Sequence, residues 1–325
     1  MKVCVALLVV LINLSAAWAD GLVFDDAQAT YNQVKTIRDA HGFHALEALA
    51  NDWRTSRARF PSGNSKLHAF YLVVAEVKGR DEASWAAVRQ FNEDWIAAVP
   101  DSATARIAAA NFYMNWAFHA RGGGFANTVS DDGWRLYRER LAAGMKVLQD
   151  GARHGADHDP AYLASLIDYG NNLDDGIDVD KQHWLQCVAV DPEYWSAYQT
   201  LAFAMLPRWH GQAGDGAALA DEAVRRTPAL GQTAYARIAM SLGQYRNVGL
   251  YTTERFSWPR VKQGFDDMLK RHPKSATLYY QAALAGQVAG DKAYTAAMVN
   301  RCGTHGWGGI ESARLVRIRT WLKGP

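Results

Sequence analysis

Apolar residues recur at helical spacing through almost the whole chain. Between residues 103 and 119, two sets of apolar positions run side by side, each spaced by three or four residues. The first set is Ala103, Ile107, Ala110, Met114 and Ala117, and the second is Ala105, Ala109, Phe112, Trp116 and His119. A helix that is apolar on two sides packs between neighbouring helices. No extended alternation of β-branched residues competes with this pattern, so the sequence predicts an all-α fold.

Prolines mark the places where these helices begin. Six of the nine prolines stand just before a new helical pattern, where a missing amide hydrogen and a fixed φ cost little: Pro61, Pro100, Pro160, Pro192, Pro228 and Pro273. Their successive spacings of 39, 60, 32, 36 and 45 residues fit one helical hairpin per repeat, with extra material in the longest interval. We therefore predict about fifteen antiparallel helices stacked as a tetratricopeptide-like α-solenoid.

Two of the proline junctions resemble each other in detail. They read PDSATARIAAA from Pro100 and PKSATLYYQAA from Pro273. Each junction places a serine, Ser102 or Ser275, where its side chain can cap the first turn of a helix. The later stretch AALAGQVAGDKAYTAAM resembles a tetratricopeptide repeat in its alanine pattern and its Gly-Asp-Lys turn.

The first 19 residues have the pattern of a Sec-type signal peptide. Lys2 is followed by an apolar run over residues 3–14 and by the small-residue triplet that ends at Ala19, after which cleavage is predicted. Cys4 lies too close to the start of the chain to be a lipoprotein cysteine. We predict a single helical-repeat domain over residues 20–325, located in the periplasm or outside the cell, without an integral membrane segment in the mature chain.

Charge and cysteine content narrow the function only a little. Without Lys2, the 35 basic residues fall to 34 against 33 acidic ones, and neither sign forms a long run. This balance gives no electrostatic footprint for nucleic acid, which we exclude as a partner. The mature chain keeps Cys187 and Cys302. An oxidising compartment permits a disulfide between them, and two buried thiols are the alternative.

A glycine-rich connection over residues 121–128 interrupts the apolar helix pattern. Backbone amides at Gly123 and the guanidinium of Arg121 suit an anion, although no phosphate-binding motif is present. The alternative is a helix corner in which Gly122 is a left-handed C-cap and Trp116 or Trp134 packs over the turn. His119 is interpreted as a core histidine that bonds a nearby backbone group.

A second glycine-rich connection spans residues 207–216 and carries Arg208, Trp209 and His210. This triplet suits a carboxylate or a peptide terminus. Alternatively, Trp209 fills the helix stack while Arg208 pairs with Asp215. We take this loop as the best binding candidate, because aromatic loops on a helical scaffold often form its binding edge. A third such connection spans residues 302–309.

No metal or cofactor site is predicted. The pairs His41/His44 and His154/His158 lack a third ligand at suitable spacing, and the helix needed for the second pair is not expected to continue past Gly155. The segment GNNLDDGIDVD, residues 170–180, lacks the ligand spacing of an EF-hand and is interpreted as a solvated loop. A nucleophile-elbow motif is also absent, so no catalytic residue is assigned.

The stretch ATARIAAANFYMNWAFHARGGGFANTVSDDGWRLYRERLAAG, followed by AMLPRWHGQAGDG, resembles the bacterial family called domain of unknown function 4034. The resemblance covers residues 45–225, and its firmest landmarks are the Ala-Arg-Gly and Leu-Pro-Arg-Trp loops. His210 stands where we expect glycine in relatives. The resemblance implies a helical fold and export, and it implies no activity.

We therefore expect an exported helical-repeat binding or scaffold protein that engages a protein or peptide partner. The binding candidates are Arg121, Gly123, Arg208, Trp209 and His210. One alternative is an envelope hydrolase-like enzyme with a pocket between the 121–128 and 207–216 loops. Another is a periplasmic immunity protein that neutralises a secreted toxin.

Overall fold

A computed structural model describes residues 27–243, 248–302 and 313–324. Over these residues the chain forms fifteen α-helices and no strand, which confirms the predicted all-α class. None of these helices combines the length and the apolar content that crossing a membrane requires. The predicted signal peptide with its cleavage after Ala19, and residues 303–309 of the third glycine-rich connection, lie outside the described residues.

The helices, numbered in chain order, are α1 (Ala27–Asp39), α2 (Phe43–Thr55), α3 (Lys66–Val74), α4 (Glu82–Ala98), α5 (Ala103–Arg121), α6 (Asp131–Ala152), α7 (Pro160–Leu173), α8 (Ile177–Val190), α9 (Trp195–Ala204), α10 (Asp215–Arg226), α11 (Thr233–Gly243), α12 (Trp258–Arg271), α13 (Ala276–Val288), α14 (Lys292–Cys302) and α15 (Ala313–Lys323). They divide between two compact units. The first unit holds Ala29–Ala58 and Ser65–Leu201, and the second holds residues 27–28, Arg59–Asn64 and the described residues from Ala202 onward. A single domain over residues 20–325 stays a prediction.

Side-chain caps start several of the helices, as the junction sequences predict. Ser102 accepts a hydrogen bond from the backbone N–H of Ala105 at 2.8 Å, at the start of α5. Ser275 accepts from the backbone N–H of Leu278 at 3.2 Å, at the start of α13. Each hydroxyl satisfies one of the amides that the first turn of a helix leaves without a partner. Both predicted caps are therefore confirmed.

Helix α5 is the centre of the first unit, where it packs against α2, α3, α4, α6 and α7. Its alanines keep the neighbouring helices close, and those at positions 105 and 108–110 are almost completely buried. Gly144 on α6 removes a further obstacle, since a Cβ there would lie 1.8 Å from the Tyr169 hydroxyl. That hydroxyl donates to the carbonyl oxygen of Ala110 at 2.7 Å. Small residues and one long hydrogen-bonding side chain thus bring α5, α6 and α7 together.

A buried polar network ties four helices of the first unit together. Asp159, the N-cap of α7, accepts from the backbone N–H of Ala161 and, through Oδ2, from the Arg54 Nε at 2.7 Å and the Tyr71 hydroxyl at 2.8 Å. Arg54 also donates to the Thr104 hydroxyl at 3.0 Å. These residues come from α2, α3, α5 and the start of α7. A buried carboxylate with this many donors stays satisfied and fixes the order of the helices.

In the second unit, helices α10 to α14 each pack against the next helix in the chain, and α15 packs against α13 and α14. Buried Arg237 on α11 donates to the Asn64 amide oxygen at 3.0 Å and to the Ser62 carbonyl oxygen. These bonds hold residues Arg59–Asn64, which belong to this unit although they stand between α2 and α3 in the sequence. The second unit is therefore built from separate parts of the chain.

Two hairpins repeat the same local contact, one in each unit. Cys187 on α8 and Cys302 on α14 are free and buried. The Cys187 thiol donates to the carbonyl oxygen of Pro160 at 3.5 Å, and the Cys302 thiol donates to that of Ala276 at 3.6 Å. Pro160 and Ala276 are the first residues of α7 and α13, the helices that open the two hairpins. The thiols thus occupy equivalent positions, and buried free thiols replace the disulfide that the sequence left open.

Candidate functional site

The structure places Arg121 at the end of α5, where Nη1 makes local hydrogen bonds and the buried Nη2 has no hydrogen-bond partner among the described residues. Its side chain is buried, and Nη1 donates to the carbonyl oxygens of Gly122 and Gly124 at 3.1 and 3.3 Å. The guanidinium carbon lies 5.2 Å from the centroid of the Trp134 ring. Burial lowers the pKa of Arg121. The guanidinium therefore stabilises its own loop, and Trp134 is the aromatic residue that packs at this corner.

The glycines of this connection form a tight helix end. Gly122 has a φ of +71° and a ψ of −179°, and its N–H donates to the Phe118 carbonyl oxygen at 2.9 Å. This residue has the predicted positive φ but not the ψ of a left-handed cap, which corrects the detail of that prediction. Gly123 is exposed, and so is the side chain of Phe125 beyond it. Helix α6 then starts at Asp131 with Ser130 as its cap.

His119 differs from its predicted environment. The imidazole is half-buried and stacks on the indole of Trp85, with 4.5 Å between the ring centroids and 25° between the planes. Burial lowers its pKa, and the nearby Glu82 carboxylate opposes that effect. The packing partner is therefore an aromatic ring from α4 rather than the backbone group that the sequence suggested.

The loop after α9 returns onto the end of that helix. The backbone N–H of Trp209 donates to the Leu206 carbonyl oxygen at 2.9 Å, and that of His210 donates to the Ala204 carbonyl oxygen at 3.1 Å. The Trp209 ring lies 5.6 Å from the ring of Phe203. The Arg208 guanidinium carbon lies 5.5 Å from the Trp209 ring centroid. These contacts satisfy the carbonyls that the last turn of a helix leaves open.

Two further residues fix the same loop. A Cβ on Gly211 would lie 1.9 Å from the carbonyl oxygen of Met205, so only glycine fits this close approach. Asp215, which the sequence offered as an ion-pair partner of Arg208, accepts a hydrogen bond from the backbone N–H of Gln212 at 2.7 Å. Arg208, Trp209 and His210 thus stand on a tightly tied turn of the second unit, whereas Arg121 and Gly123 belong to the first. The pocket between the two loops stays a prediction.

The acidic segment over residues 170–180 is helical rather than a solvated loop, which corrects the sequence-based interpretation. Helix α7 continues to Leu173 and α8 begins at Ile177, so three residues connect the two helices. The Asp180 side chain is buried, with 1 % of the residue exposed. It fits against Gly170, where a Cβ would lie 2.2 Å from its Oδ1 atom. The missing side chain of Gly170 therefore makes room for a buried carboxylate.

The first unit carries a face lined with amide, hydroxyl and carboxyl groups, which we call the polar face. It consists of Asn111 and Asn115 on α5 and of Ser165, Asp168 and Asn172 on α7. Residues three or four apart on a helix lie on the same side, so each helix contributes one row of these groups. Four of the five residues are half-buried, and Ser165 is buried. The packing of α5 against α7 brings the two rows together.

Hydrogen bonds hold this polar face in place. The Ser165 hydroxyl donates to the Asn111 amide oxygen at 2.9 Å, and the Asn115 amide nitrogen donates to the Ala75 carbonyl oxygen at 3.3 Å. The Asn172 amide oxygen accepts from the Tyr137 hydroxyl at 2.7 Å. Each amide keeps further donor or acceptor capacity beyond these bonds, because a primary amide has two N–H groups and two acceptor lone pairs. The face is thus ordered and still able to bind a polar ligand.

Asp168 has the most unusual electrostatic environment on the polar face. Burial raises its pKa to about 7. Among the described residues, its carboxylate has no hydrogen-bond or ion-pair partner, which contrasts with the three donors around Asp159. The pKa of Asp180 on α8 is also raised to about 7, first by burial and then by the charges of Asp175 and Asp168. The surroundings of Asp168 are therefore acidic and poorly solvated.

His68 on α3 resembles Asp168 in being a half-buried titratable group whose pKa is shifted by burial. Its ring is half-buried and meets the ring of Tyr194 edge to face, with 5.9 Å between the centroids. Burial lowers the pKa of His68 to about 4. Both His68 and Asp168 touch solvent, and yet burial dominates their titration. The polar side chains of His68 on α3 and Asp168 on α7 are thus only partly accessible to solvent.

None of the residues of the polar face was singled out from the sequence. Asn111 and Asn115 lie within the double apolar pattern of α5, and Asp168 lies in a helix without a recognised motif. The available signal was the spacing: two asparagines four residues apart on one helix, and Ser165, Asp168 and Asn172 at intervals of three and four on another. No group of three or more His, Cys, Asp or Glu side chains suited to a metal ion is found among the described residues.

Comparison with known proteins gives no match: no family model, no curated protein and no solved structure is similar to this chain at a significant level. The resemblance to the domain of unknown function 4034 family therefore stays a prediction.

Proposed function

We propose that this protein is an exported helical-repeat binding protein whose polar face holds a peptide segment of a partner protein. The observation that carries the proposal is the alignment of two asparagines on α5 with Ser165 and Asp168 on α7, joined by the bond between Ser165 and Asn111. Neither row belongs to a loop, so both are presented by rigid, packed helices. Binding groups fixed in this way lose little conformational entropy when a ligand arrives.

Peptide is the ligand class that suits these groups best. An extended peptide offers one N–H and one C=O at every residue, and asparagine side chains pair with both. The half-buried Asn111 and Asn115 stand one helical turn apart on α5, so they can bond successive groups of an extended backbone.

The hairpin architecture supports the same proposal. Equivalent thiol contacts in the α7–α8 and α13–α14 hairpins, together with equivalent serine caps on α5 and α13, are typical of a repeated unit. Repeat proteins with two helices per unit commonly use the exposed side of their first helices to bind extended segments. We propose that α3, α5 and α7 are such first helices in a tetratricopeptide-like array, with export directed by the predicted signal peptide.

The experiment is a selection of random linear peptides displayed on phage against the purified mature chain. We expect enrichment of peptides that share a short consensus. Replacing Asn111 and Asn115 together by alanine is expected to weaken binding of the best peptide by about tenfold or more, as measured by fluorescence polarisation. The matched control is Asn127→Ala, which changes an exposed asparagine on the 121–128 connection.

Circular dichroism and thermal unfolding check that the double variant keeps its fold. The proposal is wrong if the wild-type chain enriches no peptide. It is also wrong if the folded double variant binds the selected peptide as tightly as the Asn127→Ala control does.

A further inference from the structure

We propose that the Asp168 carboxylate is a subsite for an ammonium or guanidinium group, so that the polar face selects peptides with lysine or arginine at one position. This inference rests on the proposed peptide-binding function and specifies its ligand class. It begins with the position of Asp168 on α7, three residues after Ser165 and four residues before Asn172. A ligand that bonds the asparagine row of α5 therefore passes beside this carboxylate.

The second step is the lack of an internal cation for Asp168. Other carboxylates of the first unit have one: Asp159 is bonded by Arg54 at 2.7 Å, and Asp150 is bonded by Arg106 at 2.7 Å. Both Asp150 and Asp168 are half-buried, and yet the described residues supply neither a basic side chain nor a hydrogen-bond donor to the Asp168 carboxylate. The Arg106 bond lowers the pKa of Asp150, whereas burial raises that of Asp168. A desolvated carboxyl group without a partner lowers the stability of the fold, and a cation supplied by a ligand would offset that cost.

The third step is the sign of the local charge. The ionisable groups that interact with Asp168 are Tyr169 on the same helix and Asp180 on α8, and Asp180 also interacts with Asp175. The charged groups that interact with Asp168 are thus acidic, and no ion pair among the described residues brings a basic side chain to it. A cation that enters meets attractive charges in a poorly solvated site, where Coulomb interactions are stronger than in bulk water.

The Asp168 carboxylate also discriminates between cationic, neutral and acidic side chains of a ligand. A cationic side chain offers N–H donors and a positive charge to a carboxylate that has neither. A neutral ligand side chain leaves that carboxylate desolvated and unpaired, and an acidic side chain is repelled by Asp168 and Asp180. The same group therefore favours one class of ligand and opposes the other two.

The experiment uses the peptides selected by the wild-type chain. We expect them to share a basic position, and exchange of that lysine or arginine for norleucine is expected to weaken binding by about tenfold or more. In the Asp168→Asn variant the basic and norleucine peptides are expected to bind equally. Asp178→Asn, which removes an exposed charge from α8, is the matched control and should keep the wild-type preference.

A second measurement does not need a peptide. The ¹³C signal of the Asp168 carboxyl group is titrated with pH in the presence of n-butylammonium, with n-pentanol as the neutral comparison. We expect the ammonium ion alone to lower the apparent pKa of Asp168, and we expect the Asp178→Asn variant to behave as the wild type does.

The outcomes separate the two proposals. If the wild-type chain enriches peptides that share no basic position, or if Asp168→Asn keeps the preference for lysine, the cation subsite is wrong while peptide binding stands. An unchanged Asp168 titration with n-butylammonium also overturns the cation subsite. If no peptide is enriched and the ammonium ion still lowers the pKa of Asp168, peptide binding is wrong and the polar face binds a small cation instead.

Discussion

The hydroxyl of Ser165 on α7 donates a 2.9 Å hydrogen bond to the amide oxygen of Asn111 on α5. This bond joins two helices that are 54 residues apart in sequence at these positions. It turns two separate rows of polar side chains into one ordered surface. Both partners are hydrogen-bonding groups with little access to solvent, so each needs the other.

The first prediction concerns the strength of this pairing. Ser165→Ala and Asn111→Ala are each expected to lower the free energy of unfolding by about 1 kcal/mol, because each leaves a polar partner with little access to solvent without its bond. The double variant is expected to lose less than the sum, with a coupling of about 0.5–1.5 kcal/mol in a double-mutant cycle measured by urea unfolding. Fully additive losses would show that the two side chains do not interact in solution.

The second prediction concerns the pH dependence of stability. The folded protein keeps the proton of Asp168 up to about pH 7, whereas an unfolded aspartate releases it near its usual value of 3.8. The free energy of unfolding therefore falls as the pH rises between these values, because the folded state binds more protons there. Asp168→Asn removes this loss and is expected to raise the unfolding temperature at pH 8 by a few degrees, about 2–4 °C per kcal/mol, with little gain at pH 4.

In Asp168→Asn the free energy of unfolding still falls as the pH rises, because Asp180 has a raised pKa of about 7 as well. Asp178→Asn is the control, since that carboxylate is exposed. Identical pH profiles for the wild type and Asp168→Asn would contradict the desolvated environment of Asp168.

The third prediction concerns the turn that follows α9. Gly211→Ala is expected to destabilise the protein by about 1–3 kcal/mol, since its Cβ would lie 1.9 Å from the Met205 carbonyl oxygen. Gly243→Ala in α11 is the matched control, because its Cβ would make an ordinary contact of 3.4 Å with Leu250. Alanine is also the better helix former there, so the control should be neutral or stabilising by up to about 1 kcal/mol. Thermal unfolding of the two variants decides the matter, and equal unfolding temperatures would contradict the tight turn.

The fourth prediction concerns the role of Arg121. Arg121→Met removes the donor to the Gly122 and Gly124 carbonyl oxygens and is expected to lower the free energy of unfolding by about 1–3 kcal/mol, with unchanged affinity for the selected peptides. Arg138→Met, at an exposed position of α6, should change stability by no more than about 0.5 kcal/mol. A variant that folds as stably as the wild type and yet loses peptide affinity would instead identify the 121–128 connection as a binding loop.

Much of the fold was predictable because its signals are local. The spacing of apolar residues in α5 decides that the segment is helical, and Ser102 and Ser275 cap helices through amides three residues away. Such relationships need no knowledge of the rest of the chain. The first turn of α6 likewise carries Asp131 and Asp132, whose charges favour the positive end of the helix dipole.

The polar face could not be predicted in that way. Asn111 and Ser165 meet only when α5 packs against α7, and no local pattern specifies that packing. The acidity of residues 170–180 also suggested solvent exposure, because carboxylates are rarely buried without partners. Gly170 reverses that expectation by opening space for Asp180 inside the α7–α8 hairpin. Helical spacing identifies a face, but only tertiary contacts tell whether that face is solvated or enclosed.

The equivalent cysteines offer a way to time the opening of each unit separately. Burial raises the pKa of the Cys187 thiol well above its usual value and that of Cys302 to about 11. Both thiols are therefore protonated and shielded while their hairpins are closed, and an alkylating reagent reaches each one only after local unfolding. Mass spectrometry of the two cysteine-containing peptides would then give two independent rates from one sample. Each unit thus contains its own chemical reporter of local unfolding, and ligand binding to the polar face should slow the alkylation of Cys187.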